Sequence, residues 1–227
     1  MSTRSAATIK MEQVTIGGER VFLRAPREHD ASEFLALSRA STRFHRGLVS
    51  PPTQPQQFVD YLERCRRADS ASFLICGTGE RGPQRGSPAV VLGPPVISVR
   101  ATPPPKHAQD ARATHHIIGA INLSQIFRGG FQNAYLGYYI GAPYAGRGYM
   151  TEALRLMLRY AFGELKLHRL EANIQPRNHP SIALVKRAGF SREGFSRRYL
   201  KICGRWRDHE RWAIIAEDWK AMRKDQS

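Results

Sequence analysis

Long hydrophobic runs, acidic charge and cysteine are all scarce in this sequence, and each shortage removes a class of protein. No apolar stretch approaches the roughly 18–20 residues that a membrane span needs. Residues 1–10 hold no apolar core of signal-peptide length, so a cytoplasmic protein without membrane partners is expected. The three cysteines, Cys65, Cys76 and Cys203, are odd in number, far apart and outside any C-x-x-C spacing. Reduced thiols fit them better than a disulfide framework or a metal knuckle. Familiar catalytic signatures are missing too: no G-x-x-x-x-G-K-[ST], no H-E-x-x-H and no G-x-S-x-G. His115 and His116 are neighbours on a strand and point to opposite faces, so no metal is expected.

Only 19 acidic residues face 35 basic ones, 28 of them arginine, which leaves a net charge of +16. Such a balance favours polyanions, whether nucleic acid, ribosome or a phosphorylated cofactor, although codon usage alone can enrich arginine. No basic stretch is interleaved with aromatics in the manner of an RNA-binding strand pair. With 227 residues, 41% of them hydrophobic, the chain is long enough for one ordinary domain with a proper core.

Periodicity supplies the elements. "ERVFLR", 19–24, alternates as a strand, and Asp30-Ala31-Ser32-Glu33 has the spacing of a capped helix start, with the helix reaching about Ala40. Thr53-Gln54-Pro55-Gln56 offers a second such start, and "SFLIC", 72–76, reads as the next strand. Residues 77–114 then carry too much proline and glycine for a central element, apart from a short extended piece at Val96–Val99. This stretch is expected to be an insertion dispensable for folding. Order returns with strands at 116–126 and 134–141. The following helix has an apolar stripe of Met150, Ala153, Leu154, Met157 and Ala161. "RLEANI", 169–174, alternates again. Pro180 suits the first turn of a short helix that Gly189 closes, and "YLKIC" and "WAIIA" form a hairpin-like pair about Gly204. The whole reads as a single α/β domain over 1–227 with a mixed sheet and flexible termini at 1–15 and 221–227.

Between the strand at 134–141 and its helix lies "GAPYAGRGYMTEAL", 141–154. Gly146 and Gly148 uncover backbone N–H groups just before a helix begins, where the dipole and bare amides favour an anion, usually phosphate. A dinucleotide motif would need a third glycine, but Thr151 stands there. A tight strand-to-helix turn explains the glycine pair equally well on local grounds.

The stretch from Ile117 to about Ile215 resembles the GNAT superfamily of acetyl-CoA-dependent N-acetyltransferases, and within it the RimJ-like ribosomal-protein alanine N-acetyltransferases. "GAINL", "RGGFQNAYLGYYIG", "YAGRGYMTEAL", "LHRLEANIQPRNHPSIALVKRAGFSREG" and "YLKICGRWRDH" carry the likeness. The N-terminal half contributes only "VFLRAPREHD" and two helices. The resemblance implies a GNAT fold, a mixed, mostly antiparallel sheet flanked by helices, acting on acetyl-CoA without a metal, as a monomer or homodimer. It places the pyrophosphate on the loop of Ala145, Gly146, Arg147, Gly148, Tyr149, Met150 and Thr151. Ala145 and Met150 depart from the family's Q/R-x-x-G-x-G/A pattern, but neither change removes an amide. Arg147 either adds a contact or points to solvent. The pantetheine arm would pair with the backbone of Tyr138, Tyr139 and Ile140 and reach Asn178, which serves equally well as a helix cap.

The family's usual general base and acid, a Glu and a Tyr, fall at Asn173 and Val185, which cannot do the chemistry. The local substitutes are Glu171, a base acting through water or else a partner for Arg169, and Ser181, a proton donor to the thiolate or else a helix-start residue. A weak base suits an α-amine. Near pH 7.5, neutralising it costs roughly 0.5 kcal/mol, against roughly 4 kcal/mol for lysine. The expected acceptor is therefore a protein N-terminus, ribosomal by the resemblance. A small-molecule amine acetyltransferase and a catalytically silent ribosome- or RNA-associated module are the alternatives.

Overall fold

The computed structural model describes residues 14–78 and 115–224. Eight strands form one sheet: β1 (Thr15–Gly17), β2 (Val21–Arg24), β3 (Ala71–Gly77), β4 (His116–Ser124), β5 (Asn133–Ile140), β6 (Arg169–Ile174), β7 (Ser191–Ile202) and β8 (Arg205–Ile215). Their order is β1-β2-β3-β4-β5-β6-β8-β7. Neighbours are antiparallel except for β5 and β6. The helices are α1 (Ala31–Ala40), α2 (Thr42–His45), α3 (Pro55–Cys65), α4 (Tyr149–Arg159), α5 (His179–Arg187) and α6 (Ala216–Lys224). This is the mixed, mostly antiparallel α/β arrangement expected. The insertion, including Val96–Val99, lies almost wholly outside the described residues.

β3 has no polar alternation because both of its faces are covered. Phe73 and Ile75 join a cluster with Leu154 and Met157 of α4, whereas Leu74 and Cys76 join one with Phe34 of α1 and Phe58 and Leu62 of α3. The α4 stripe packs as its period requires, with Ala153, Leu154 and Met157 buried and Met150 half-buried, whereas Ala161, also buried, falls in the π-helical turn (Tyr160–Glu164) that follows α4. Burying Leu154 alone is worth about 1.5–3 kcal/mol. In β6, Leu170, Ala172 and Ile174 are buried and the alternate residues are not. Asn178 caps α5, and Gly189 follows the helix with φ +87°. The β7–β8 hairpin turns at Cys203 and Gly204, both with positive φ (49° and 76°). That is the two-residue turn whose twist matches the strands.

Several expectations need correction. β1 and α2 were not anticipated, and β7 begins at Ser191, well before "YLKIC". Thr15 and residues 221–224, placed in the tails, belong to β1 and α6. The second helix start is held by Gln57, not Gln56: its Oε1 accepts from the backbone N–H of Thr53 at 2.9 Å and Gln54 at 3.2 Å. Asp30 and Glu33 do not make a capping box either. Glu33 Oε1 accepts from Ile117 N–H at 2.8 Å, beside a register shift between β3 and β4.

Asp30, 4% exposed, takes a two-pronged pair from Arg24 at 2.6 and 2.7 Å and the Arg27 N–H at 2.7 Å, joining α1 to β2. Burial alone would raise its pKa, but these bonds outweigh it and hold the carboxyl below its ordinary range. The stabilisation is therefore full above the unfolded-state value of about 3.9 and disappears as pH falls through the lower folded value. Asp30→Ala leaves the Arg24 guanidinium without its carboxylate and should cost about 3 kcal/mol in urea unfolding at pH 7. A loss under about 0.5 kcal/mol would show that the clasp does not stabilise the fold.

Candidate active site

β5 and β6 pair over only three residues, Asn133↔Arg169, Ala134↔Leu170 and Tyr135↔Glu171, and then separate. The gap is a cavity of about 1030 Å³, lined by Tyr138–Ile140 from one strand and Ala172–Ile174 from the other. Two sets of contacts hold the strands in this shape. At the paired end, Glu171 Oε1 accepts from Asn133 Nδ2 and Arg169 Nε, each at 3.1 Å, and Arg169 also pairs with Glu193. At the open end one segment reaches both strands. His45 Nε2 bonds the Ile140 carbonyl at 2.8 Å, while Gln175 Nε2 donates to the Gly47 carbonyl at 2.9 Å.

The glycine loop enters α4 as its sequence suggested. Gly146 and Gly148 have φ of +73° and +83°, a left-handed conformation that side chains resist. No side chain caps α4, and the amides of Gly146 to Thr151 have no acceptor among the described residues. A Cβ on Gly146 would meet nothing within 4 Å. Ala145, Gly146, Gly148, Tyr149, Met150 and Thr151 all line the cavity, but Arg147 does not. Instead, the Arg147 carbonyl accepts from Arg20 Nη1 at 3.1 Å, and Arg20 lies over the Tyr149 ring. Such a run of bare amides at a helix start suits a diphosphate.

Ser181 and Asn178 reach the same cavity. Asn178 Oδ1 accepts from the Ser181 N–H at 3.4 Å, and Ser181 Oγ lies 2.7 Å from Tyr138 Oη. Burial pushes the Tyr138 phenol up to about 12, against a smaller opposite effect of Ser181, so it stays protonated at neutral pH. Tyr139 also lines the cavity, and its ring packs among Phe34 and His45.

Glu171 is not brought to the cavity; its carboxylate is engaged by Asn133 and Arg169, the partner considered from sequence. Asn173 lines the cavity and Val185 is core. Two histidines that sequence reasoning passed over, His45 and His209, line it as well. Burial lowers the pKa of both, outweighing the bonds to the Ile140 and Arg207 carbonyls that favour charge. Among the described lining residues there is no aspartate or glutamate.

Residues 20–191 match the acetyltransferase (GNAT) domain family. The chain belongs to that family. Curated relatives include a probable N-acetyltransferase, YjcK of Bacillus subtilis, 48% identical over 102 residues, covering 45% of this chain and 56% of the relative. The [Ribosomal protein uS5]-alanine N-acetyltransferase of Escherichia coli is 45% identical over 103 residues, 45% of this chain and 53% of the relative. The chain thus spans about half the length of the curated relatives it matches. A spermidine N(1)-acetyltransferase of Escherichia coli is 31% identical over 85 residues, 37% of this chain and 46% of the relative. Among solved structures, Mycobacterium smegmatis RimJ in complex with CoA-disulfide superposes with a TM-score of 0.67 at 24% identity, over 90% of this chain and 88% of that one. At that identity the likeness establishes the GNAT fold.

If the loop amides hold a pyrophosphate, Gly146→Glu should bind CoA at least about tenfold more weakly than Gly146→Ala, a loss of about 1.4 kcal/mol. Both variants carry the same backbone strain, so calorimetry isolates the carboxylate. Equal binding by the two would place the pyrophosphate elsewhere.

Proposed function

We propose that the protein transfers acetyl from acetyl-CoA to the N-terminal α-amine of a protein, a ribosomal protein with N-terminal alanine being the favoured acceptor. The observation that carries this is the cleft between β5 and β6, furnished with hydroxyls, neutral histidines and bare amides but with no carboxylate among its described lining residues. A polyamine brings several positive charges that such a lining leaves unpaired. An α-amine brings one charge and loses it near pH 7.5 for roughly 0.5 kcal/mol. The relative named for uS5-alanine acetylation and the net charge of +16, which suits proximity to ribosomal RNA, point the same way.

In this mechanism the amides of Gly146 to Thr151 hold the pyrophosphate, and the backbone of β5 past Tyr135, no longer paired to β6, receives the pantetheine arm. Asn178 orders the start of α5 and faces that arm. With Tyr138 as the donor of its hydrogen bond to Ser181 Oγ, the serine hydrogen is free to meet the departing thiolate. Positioning and polarisation of the thioester supply most of the acceleration.

A panel of acceptors tests this directly. With purified protein and acetyl-CoA, a peptide bearing the N-terminal sequence of uS5 should exceed spermidine and an aminoglycoside by about 100-fold in kcat/KM. Blocking its α-amine should abolish turnover. Preference for spermidine would assign a small-molecule acetyltransferase, and no thioester turnover with any amine would assign a silent binding module.

A further inference from the structure

The acceptor nitrogen becomes cationic as it attacks the thioester, and a group in the cleft must take its proton. Glu171 is withdrawn into the clasp with Asn133 and Arg169, and Asn173 cannot accept a proton. Building on the acetyl-transfer reading above, we propose that His209 is the general base, accepting the amine proton on Nε2.

The register puts His209 in the right place. Asn173 pairs with Arg211 and Ile174 with Glu210, so His209 is the next residue along β8 and shares a sheet face with Arg211 and Asn173. It therefore stands diagonally across the β6–β8 ladder from Asn173, which lines the same cavity. His209 is 3% exposed and lines the cavity.

Its hydrogen bonding sets the reactive nitrogen. Nδ1 lies 3.0 Å from the Arg207 carbonyl. A carbonyl only accepts, so Nδ1 carries the hydrogen and Nε2 presents a lone pair. Among the described residues Nε2 has no partner. The surroundings keep the ring neutral at pH 7, because burial lowers its pKa more than the Arg207 carbonyl and Asp208 raise it. Tyr199 of β7 lies beside it, with ring centroids 6.1 Å apart, and Arg177 is a cation on the same cavity wall. The Asp208 carboxylate is occupied by the Arg198 N–H at 2.7 Å.

His45 does not compete for this role. Its Nε2 is bonded to Ile140, and its Nδ1 is buried without access to the cavity.

The proton balance closes. The neutral amine attacks the thioester carbon and forms the C–N bond. The tetrahedral adduct passes one nitrogen proton to His209 Nε2. The C–S bond then breaks, its electron pair leaves on sulfur, and the thiolate takes a proton from water, directly or through Ser181, whose hydroxyl passes its hydrogen to sulfur as it takes one from solvent. His209 returns its proton to solvent, leaving amide and free thiol.

His209→Asn is the decisive variant, because the asparagine amide can keep the bond to the Arg207 carbonyl while removing the base. With the uS5 peptide and acetyl-CoA, kcat should fall at least about 100-fold, within the range for a positioned base. CoA affinity and thermal midpoint should stay close to wild type. Wild-type kcat should fall on acidification through a pKa below the ordinary histidine value of 6.5, and His209→Asn should lack that limb. Added imidazole should restore part of the activity of His209→Ala. If His209→Asn retains kcat within about threefold, or keeps the acid limb, His209 is not the base. Loss of kcat together with CoA binding and thermal stability, with no imidazole rescue, assigns it a structural role and also overturns the proposal. A wild-type protein inactive on every amine removes acetyl transfer itself. An active wild type with an unaffected variant removes only the role of His209.

Discussion

Everything at the candidate site depends on how briefly β5 and β6 pair. Two parallel strands normally continue their ladder, and stopping after three residue pairs leaves backbone groups and apolar surface to be dealt with. The parallel connection requires a crossover, and α4 supplies it, so that its N-terminus opens onto the gap. Asn133, Arg169, Glu171 and Glu193 hold the paired end, while the segment from His45 to Leu48 spans the open end by bonding Ile140 on one side and Gln175 on the other. The cavity is thus a product of topology, kept open by polar contacts at both ends.

The electrostatics of the cleft follow from that enclosure. Burial keeps Tyr138 protonated and His45 and His209 neutral, and no described lining residue is acidic. Fixed hydrogen-bond donors in a partly dry cleft stabilise developing negative charge on a thioester more effectively than water would. Such a lining suits a neutral nucleophile and an anionic co-substrate. The cationic bias of the whole chain acts in the same sense over longer range.

Local periodicity made much of the architecture legible. The stripe on α4, the alternation in β6, the apolar run of β3 and the Asn178 and Gly189 boundaries of α5 each depend on residues close in sequence. What was not legible depended largely on tertiary partners. Asp30 and Glu33 have capping spacing, yet Arg24 on the neighbouring strand claims the first and the Ile117 N–H, far along the chain, the second. Arg20 reaches the glycine loop and Glu152 across more than a hundred residues. The early part of β7, largely solvent-facing, lacks the alternation that reveals a half-buried strand. Within the site, the glycine loop could be read because φ above zero selects glycine. His209 could not, since its meaning lies in the β6–β8 register and in one bond to a carbonyl.

The central claim is that the gap between β5 and β6 is the acetyl-CoA site. A crystal structure of the protein with CoA tests it most directly. It should place the pyrophosphate oxygens about 2.7–3.2 Å from amides of the Gly146–Thr151 loop, with the sulfur beside Ser181 and Tyr138. Well-ordered CoA bound outside the cleft, with those amides still uncovered, would contradict it.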